Sequence, residues 1–304
     1  MMGDTSMDRH VMGGMTIIRK EGRDARDQLR LHEAGELVWL SAPVLDDESG
    51  WLVHGFSTRL GGVSTGEKAT MNLTFAREPS AENVRENYRR IARAIGFDPE
   101  RMVLTHQTHT VNIRVCTEAD AGAGYTHERP YEDIDGLITD VPGMTLVCFS
   151  ADCVPLLAAD VKRHVVGCAH SGWRGSAADI GGHLIREMQR VYGSQPEDIR
   201  AAIGPSICSD CYEVGAEVAE HFHSDDGEDM QRPGRTVRPG RKDHYQLDLW
   251  EVCRRNFMRA GVPEDQITVT DLCTRCNHEW LFSHRAQHGL QGNLGAFIGI
   301  RKAT

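Results

Sequence analysis

The stretch MTLVCFSADCVPLLAADVKRHVVGCAHSGWRG, residues 144–175, predicts three buried β-strands separated by short polar segments. Its apolar runs are too short for typical helices and are rich in Val, Leu and Cys, which favours strands of a sheet core. These runs are Met144–Phe149, Val154–Ala158 and His164–Cys168. The polar segments Ser150–Cys153 and Ala169–Gly175 follow the first and third run, where strands end and clefts commonly open.

Cys153 and His170 lie 17 residues apart in these two segments, and a third polar cluster precedes them at His106–His109. A thiolate and two imidazoles are common zinc ligands. Three protein ligands leave one tetrahedral position open, which distinguishes a catalytic zinc site from a closed structural one. His106 and His109 point to opposite faces if this segment is a strand, so only one of them is expected to bind.

Two other interpretations of these residues remain open. Cys153 could be a nucleophile and His170 its base in a metal-free hydrolase, although such a pair needs no second imidazole. A non-catalytic, zinc-stabilised binding protein would also contain such ligands. Asp152 faces away from Cys153 on a strand; it could orient a ligating histidine, or it could only bond to backbone or solvent.

Length and charge limit the class of protein. The 304 residues carry a net charge of −10, which argues against a nucleic-acid binder with a basic face. No apolar run reaches the roughly 18–20 residues of a membrane helix, and residues 1–15 lack the apolar core of a secretory signal. The nine cysteines, an odd number, favour reduced thiols or metal ligands. We therefore expect a cytoplasmic protein with no membrane partner.

A second cysteine signal lies outside the polar clusters. Cys208-x-x-Cys211 and Cys273-x-x-Cys276 are two pairs with the spacing of structural zinc ligands, but the gap between them is far longer than in a compact zinc ribbon. A second metal site requires that the two segments meet in space. The long gap favours free thiols.

The motifs together resemble the YfiH-type family, whose members carry the names polyphenol oxidase, laccase domain protein and purine nucleoside phosphorylase. They appear in family order between about residues 50 and 300. The matching segments are Phe56–Arg59, Gly61–Ser64, Asn72-Leu73, Gln107–His109, Asp135-Gly136, Ala151–Cys153, His170–Gly175, Ile203–Pro205, Tyr212–Gly215, Cys273-Thr274 and Phe282–Arg285.

The resemblance implies an α+β fold, a single-domain αββα-type sandwich with mixed sheets that is related to Cys–His hydrolases. The mixture of strands and helices without a regular βαβ repeat agrees with mixed sheets in one domain. Residues 1–40 are then a lead-in or poorly ordered segment, and residues 41–304 form the catalytic domain. The implied metal ligands are His109, Cys153 and His170, with zinc as the metal and copper as the alternative.

The implied activity is phosphorolysis of purine nucleosides (adenosine, inosine and methylthioadenosine) to the free base and ribose 1-phosphate, with adenosine deamination alongside. Nucleoside and phosphate are therefore the expected partners, and monomer and homodimer both stay open. The predicted catalytic residues are Cys153, His170 and Asp152, and the predicted substrate-binding residues are Arg59, Arg174, Gln107 and Asn72. The guanidinium groups suit phosphate and ribose hydroxyls, although structural ion pairs are the alternative.

A metal-free Cys–His hydrolase or deamidase and a copper-dependent polyphenol oxidase are the alternative functions. The oxidase has little support from the residues. His221 and His223 form a single His-x-His pair, whereas a multicopper oxidase needs several such pairs and a blue-copper cysteine.

Overall fold

The computed structural model describes residues 9–12, 15–21, 24–76, 78–222 and 235–302. Two six-stranded sheets face each other, and helices cover their outer faces, so the αββα sandwich predicted from the sequence is confirmed. None of the helices in the described residues is both long and apolar enough to cross a bilayer.

The first sheet contains two of the three strands predicted within residues 144–175. Its strands are β7 (Ile113–Val115), β8 (Gly136–Thr139), β10 (Val154–Asp160), β11 (Val165–Ser171), β12 (Ile199–Ile203) and β16 (Ile267–Val269). Their order is β16-β12-β10-β11-β8-β7. The pairs β12–β16 and β7–β8 are parallel and the others antiparallel, so the sheet is mixed. The antiparallel register of β10 and β11 pairs Pro155 with His170.

The second sheet contains the remaining predicted strand, Thr145–Ser150. Its strands are β3 (Arg30–Ala34), β4 (Leu37–Ser41), β5 (Leu52–Ser57), β6 (Met102–Leu104), β9 (Thr145–Ser150) and β17 (Leu294–Ile300). Their order is β3-β4-β5-β17-β9-β6. Because β9 lies in this sheet and β10 in the other, residues 151–153 carry the chain from one sheet to the other. Cys153 therefore lies at one end of the sandwich, between its two central layers.

Three layers of apolar side chains hold the sandwich together. Leu146, Cys148, Leu157, Val166 and Ile298 are among the buried residues between the sheets. The helix α1 (Ala81–Ile95) packs on the outer face of the second sheet, and α3 (Ile180–Tyr192) and α5 (Leu249–Arg259) pack on that of the first. The remaining elements are α2 (Trp173–Ala177), α4 (Ala216–Ala219), α6 (His284–Gln287), the hairpin β1 (Arg9–Met12) and β2 (Met15–Ile18), and a small sheet of β13 (Glu213–Gly215), β14 (Val237–Pro239) and β15 (His244–Leu247).

Helix ends follow the signals in the sequence. The Ser80 side chain accepts a hydrogen bond from the Asn83 amide at the start of α1, and Gly96 ends the helix in the left-handed region with φ 93°. Residues 173–192 form two helices, α2 and α3, rather than one continuous helix. Asp179, with φ 62°, interrupts the chain between them and caps α3 by accepting from the Gly182 amide.

Residues 102–115 are divided between the two sheets. They form β6 in the second sheet, β7 in the first sheet and, between them, the loop 105–112. His106 and His109 therefore lie on a segment that crosses between the sheets, as residues 151–153 do. Two of the three polar clusters consequently reach the same end of the sandwich by the same kind of crossing.

The second sheet begins ahead of the domain boundary suggested at residue 40. Strand β3 pairs with β4, and β4 pairs with β5, so part of the lead-in segment belongs to the sandwich. Leu40, opposite Leu31 and Phe56 in these ladders, is fully buried in the layer between the sheets.

Truncating this side chain tests whether the segment contributes to the core. We expect Leu40→Ala to lower the free energy of unfolding by roughly 2–5 kcal/mol, because it leaves a cavity between the sheets. The exposed Glu36→Ala should change it by less than about 0.5 kcal/mol. Denaturant unfolding measures both. Equal stability of the two variants would contradict a folded role for residues 30–41.

Candidate metal centre and its cleft

Three potential ligands converge where the chain crosses between the sheets. The metal-ligating atoms of His109, Cys153 and His170 all lie within 4.8 Å of one another. His109 comes from the loop between β6 and β7, Cys153 from the crossing between β9 and β10, and His170 from β11. The rings of His109 and His170 meet edge-on with their centroids 4.9 Å apart.

The buried carboxylate of Asp135 organises this group. Its Oδ1 bonds to His170 Nδ1 at 2.9 Å and accepts from the His109 amide at 3.1 Å. Its Oδ2 accepts from the amides of Thr108 and Thr110 at 3.0 and 2.9 Å. These bonds fix the loop around His109, whose backbone is left-handed with φ 68°. Because Nδ1 of His170 is bonded to Asp135, its Nε2 is the atom available for a metal.

Within this group, charges and hydrogen bonds oppose the effect of burial on the pKa values. Burial alone would raise the pKa of Asp135, but the bond to His170 and the backbone amides lower it to about 2. Burial likewise disfavours the Cys153 thiolate, yet His170 and His109 lower the pKa of Cys153 to about 6. Burial disfavours a charged His170, but the thiolate and Asp135 raise its pKa to about 10. Without a metal, Cys153 and His170 are therefore a thiolate–imidazolium pair at neutral pH.

The donor set fits a metal with three protein ligands. One thiolate and two imidazoles, with a carboxylate behind one imidazole, match the ligands and outer support of zinc sites. Gly172 leaves the room that they need, because a Cβ atom there would lie 2.6 Å from His109 Cδ2 and 3.3 Å from Cys153 Sγ. Among the described residues, the group contains three Cys, His or acidic members and no fourth.

A cleft of about 530 Å³ opens over the triad, a volume typical of small-molecule sites. Besides the three ligands, its lining includes Gln107, Phe149, Ile207, Tyr212, Arg285 and Asn293. Apolar and aromatic surface thus lies beside one guanidinium and the three amides of Gln107, Gln291 and Asn293. The cleft can accept a planar, partly polar molecule next to the metal ligands.

The family model for multicopper polyphenol oxidoreductase laccases matches residues 53–301. The chain belongs to this family. The crystal structure of Bacillus licheniformis YfiH superposes with a TM-score of 0.79 at 32% identity, covering 89% of this chain and 99% of that one. These findings confirm the predicted resemblance and fold class, and the relation to Cys–His hydrolases stays a prediction.

Relatives of this chain carry functional names. The Geobacillus stearothermophilus protein named purine nucleoside phosphorylase YlmD is 37% identical over 251 residues, which are 82% of this chain and 90% of YlmD. A protein from an unknown prokaryotic organism, named adenosine deaminase RL5, is 34% identical over 201 residues, which are 64% of this chain and 73% of RL5.

In this laccase-family chain the structure groups His109, rather than His106, with Cys153 and His170. His106 instead pairs its backbone with Ile134, and its Nδ1 accepts from the Asp133 amide at 3.2 Å.

Asp152 has a different role from the orienting one considered for it. Its Oδ1 accepts from the Thr274 hydroxyl and its Oδ2 from the Arg285 amide, both at 2.6 Å. Asp152 therefore holds two distant loops at the cleft wall. The carboxylate that orients His170 is Asp135, which the sequence motifs contained without indicating its role.

Two predicted substrate-binding residues do not line the cleft. Arg59 donates to the carbonyls of Ala69 and His278 at 2.8 and 2.9 Å and lies over the Phe282 ring. Asn72 is fully buried; it donates to Glu78 and accepts from the Asn293 amide. Their side chains hold loops together outside the cleft lining, so this geometry does not favour direct substrate contact by Arg59 or Asn72, which stays a prediction.

The other two predicted substrate-binding residues differ in position. Gln107 lines the cleft, where it exchanges hydrogen bonds with the Phe149 backbone. Arg174 is exposed, outside the cleft lining, and stacks over Trp173 at 4.3 Å. Sequence reasoning missed Arg285, whose guanidinium donates to the Glu213 carbonyl and faces Tyr212. The segments Tyr212–Gly215 and Phe282–Arg285 were both among the family motifs, but no sequence pattern showed that they would meet at this cleft.

The space at Gly172 provides a direct test of the triad. We expect Gly172→Ala to weaken metal binding at this centre at least about 10-fold, because the new methyl group displaces His109 and Cys153. Gly175→Ala is the matched control, since its Cβ would meet nothing closer than 3.4 Å. Metal titration of both variants measures the effect. Equal affinities would contradict the triad geometry.

Replacing Asp135 tests the support behind the ligands. Asp135→Asn should reduce metal affinity about 10–100-fold, because the amide carries no charge to hold the imidazole and the loop amides. Asp133→Asn, which changes a carboxylate bonded to the exposed Thr108 hydroxyl, is the control. Competition with a chelator measures the affinities. Unchanged binding in Asp135→Asn would show that His170 is oriented by other contacts.

Proposed function

We propose that this chain catalyses the phosphorolysis of purine nucleosides at a zinc centre formed by His109, Cys153 and His170. The observation that carries the proposal is the convergence of this triad at the base of a cleft of about 530 Å³. The relative named purine nucleoside phosphorylase, aligned over most of both chains, supplies the substrate class.

Zinc is favoured over copper by the surroundings of the triad. A blue-copper site adds a weak axial ligand, usually Met, to two histidines and a cysteine. No methionine is among the described residues that line the cleft. When bound, zinc would supply Lewis-acid polarisation of an oxygen of the substrate or phosphate.

Some residues of the cleft wall suit the purine base, and others suit the phosphate. The rings of Tyr212 and Phe149 provide flat surfaces for a purine. Burial raises the pKa of Tyr212 to about 12, so its hydroxyl stays neutral and can donate a hydrogen bond. Arg285 uses two of its five N–H donors on Glu213, and a guanidinium suits phosphate oxygens. Arg174 acts electrostatically on Tyr212 and is a second candidate for phosphate.

Deamination of adenosine is a second reaction that the same site could perform, and RL5 carries that name. Deamination needs water rather than phosphate as the attacking group, so Arg285 and Arg174 would bind no phosphate during this reaction. A metal-free Cys–His hydrolase would use the thiolate–imidazolium pair of Cys153 and His170. The presence of His109 beside this pair favours metal binding instead.

The laccase name of the family implies copper oxidation of phenols. Among the described residues, the clusters of three or more metal-ligating side chains are this triad and a group of four cysteines. Neither is a multi-histidine copper cluster. His223, part of the single His-x-His pair, lies outside the described residues.

We also propose a cytoplasmic location and a catalytic domain that comprises residues 41–304 together with the β3–β4 segment that pairs with it. None of the nine cysteines, all of which lie within the described residues, forms a disulfide, as expected in a reducing compartment.

The assay combines zinc-loaded protein with inosine, adenosine or methylthioadenosine, with and without phosphate. We expect free base and ribose 1-phosphate only when phosphate is present. Cys153→Ala and His170→Ala should lower the rate more than about 100-fold. This loss exceeds the one expected from replacing a residue that only supports a ligand. His106→Ala, outside the triad, should retain it.

Other outcomes discriminate between the alternatives. Inosine formed from adenosine without phosphate would assign deamination alone. Full activity after metal removal would favour the Cys–His hydrolase. No base release from any of the three nucleosides would contradict the proposal.

A further inference from the structure

A second group of metal-ligating side chains lies outside the catalytic cleft. The Sγ atoms of Cys208, Cys211, Cys273 and Cys276 all lie within 4.8 Å of one another. Two of these cysteines are buried and two are partly exposed. The sequence favoured free thiols because of the long gap between the pairs, whereas the fold brings the pairs together.

The topology explains how segments so far apart in the chain meet. Strands β12 and β16 are parallel neighbours, with Ile203 opposite Val269. The carboxyl ends of parallel strands lie at the same edge of a sheet, and each cysteine pair follows one of these strands. A backbone bridge between Ser206 and Cys273 continues the pairing to the first sulfur of the second pair.

The sulfur spacing is that of ligands rather than of disulfides. Cys211 Sγ and Cys276 Sγ are 3.5 Å apart, whereas a disulfide bond measures about 2.05 Å. Tetrahedral Zn–S bonds of about 2.3 Å place neighbouring sulfurs about 3.8 Å apart. The Cys208 amide also donates to Cys273 Sγ at 3.3 Å, a bond that stabilises negative charge on sulfur.

We propose that Cys208, Cys211, Cys273 and Cys276 bind one zinc ion in a closed tetrathiolate site, separate from the catalytic centre. Four thiolates fill the tetrahedron and leave no position for substrate, so the ion is structural. The proposal goes beyond the phosphorylase function and does not depend on it.

Positively charged side chains that bond to the turn between Cys208 and Cys211 suit the negative charge of such a site. Zinc with four thiolates carries two net negative charges. Asp210, within this turn, accepts from Lys20 Nζ at 2.9 Å and from Arg238 Nη2 at 3.0 Å. Two positive side chains are thus fixed beside the sulfur cluster.

The proposed ion would fasten one wall of the catalytic cleft. Ile207 and Tyr212, which line the cleft, flank the first cysteine pair. Thr274, within the second pair, donates to Asp152, and the Ile207 amide donates to the Asp152 carbonyl. Both loops held by the cluster therefore bond to the residue that precedes Cys153.

Metal counting separates the two sites. In the double variant Cys153→Ala/His170→Ala, which keeps one ligand of the catalytic triad, we expect about one zinc per chain, against about two in the unmodified protein. X-ray absorption of this variant should show four sulfur neighbours at about 2.3 Å. Cys211→Ser/Cys276→Ser should lose the second ion and keep the first. Cys116→Ala, a buried cysteine outside both groups, is the control and should keep both.

A Cys153→Ala/His170→Ala protein without zinc, with stoichiometric iron, or with nitrogen and oxygen neighbours would overturn the proposal. This variant leaves all four cysteines in place, so its result does not depend on whether the Cys211→Ser/Cys276→Ser protein folds. The zinc count also needs no activity, so its failure is distinct from failure of the phosphorolysis assay.

Discussion

The Asp135 carboxylate is the contact on which the geometry of the candidate metal centre depends. It accepts hydrogen bonds from the loop amides around His109 and also bonds to Nδ1 of His170. This single carboxylate holds the left-handed backbone of His109. It also orients the buried imidazole of His170 and places a negative charge beside it. These functions cannot be separated by substitution, because a single side chain performs them all. The geometry of the ligands thus depends on a residue that does not itself ligate.

The sandwich supplies the position of this centre through its connections. The chain passes from the second sheet to the first between β6 and β7 and again between β9 and β10. The first crossing carries His109 and the second carries Cys153, while His170 lies opposite Pro155 in the ladder of β10 and β11. Candidate ligands on three separate segments therefore meet at one end of the sandwich, where they line the cleft.

Local signals in the sequence predicted local structure well. Ser80 and Gly96, residue types that favour the two ends of a helix, bound α1, because a cap depends on residues within one turn. The αββα fold followed from the family motifs. The function of Arg59 and the pairing of the cysteines depended instead on distant partners. Arg59 bonds to His278, and the cysteine pairs meet because β12 and β16 are adjacent, which no local spacing reveals.

The parallel pairing of β12 and β16 also has a consequence for chain length. Strand β12 ends at Ile203 and β16 begins at Ile267, and the ends of the connection between them are held close together by the ladder and the bridge at Ser206. The entropy of closing a flexible loop grows only by about 0.6 kcal/mol for each doubling of its length. Extra residues in the exposed turn 241–243, which lies between β14 and β15 and away from α5, should therefore cost little stability and leave the four cysteines in place.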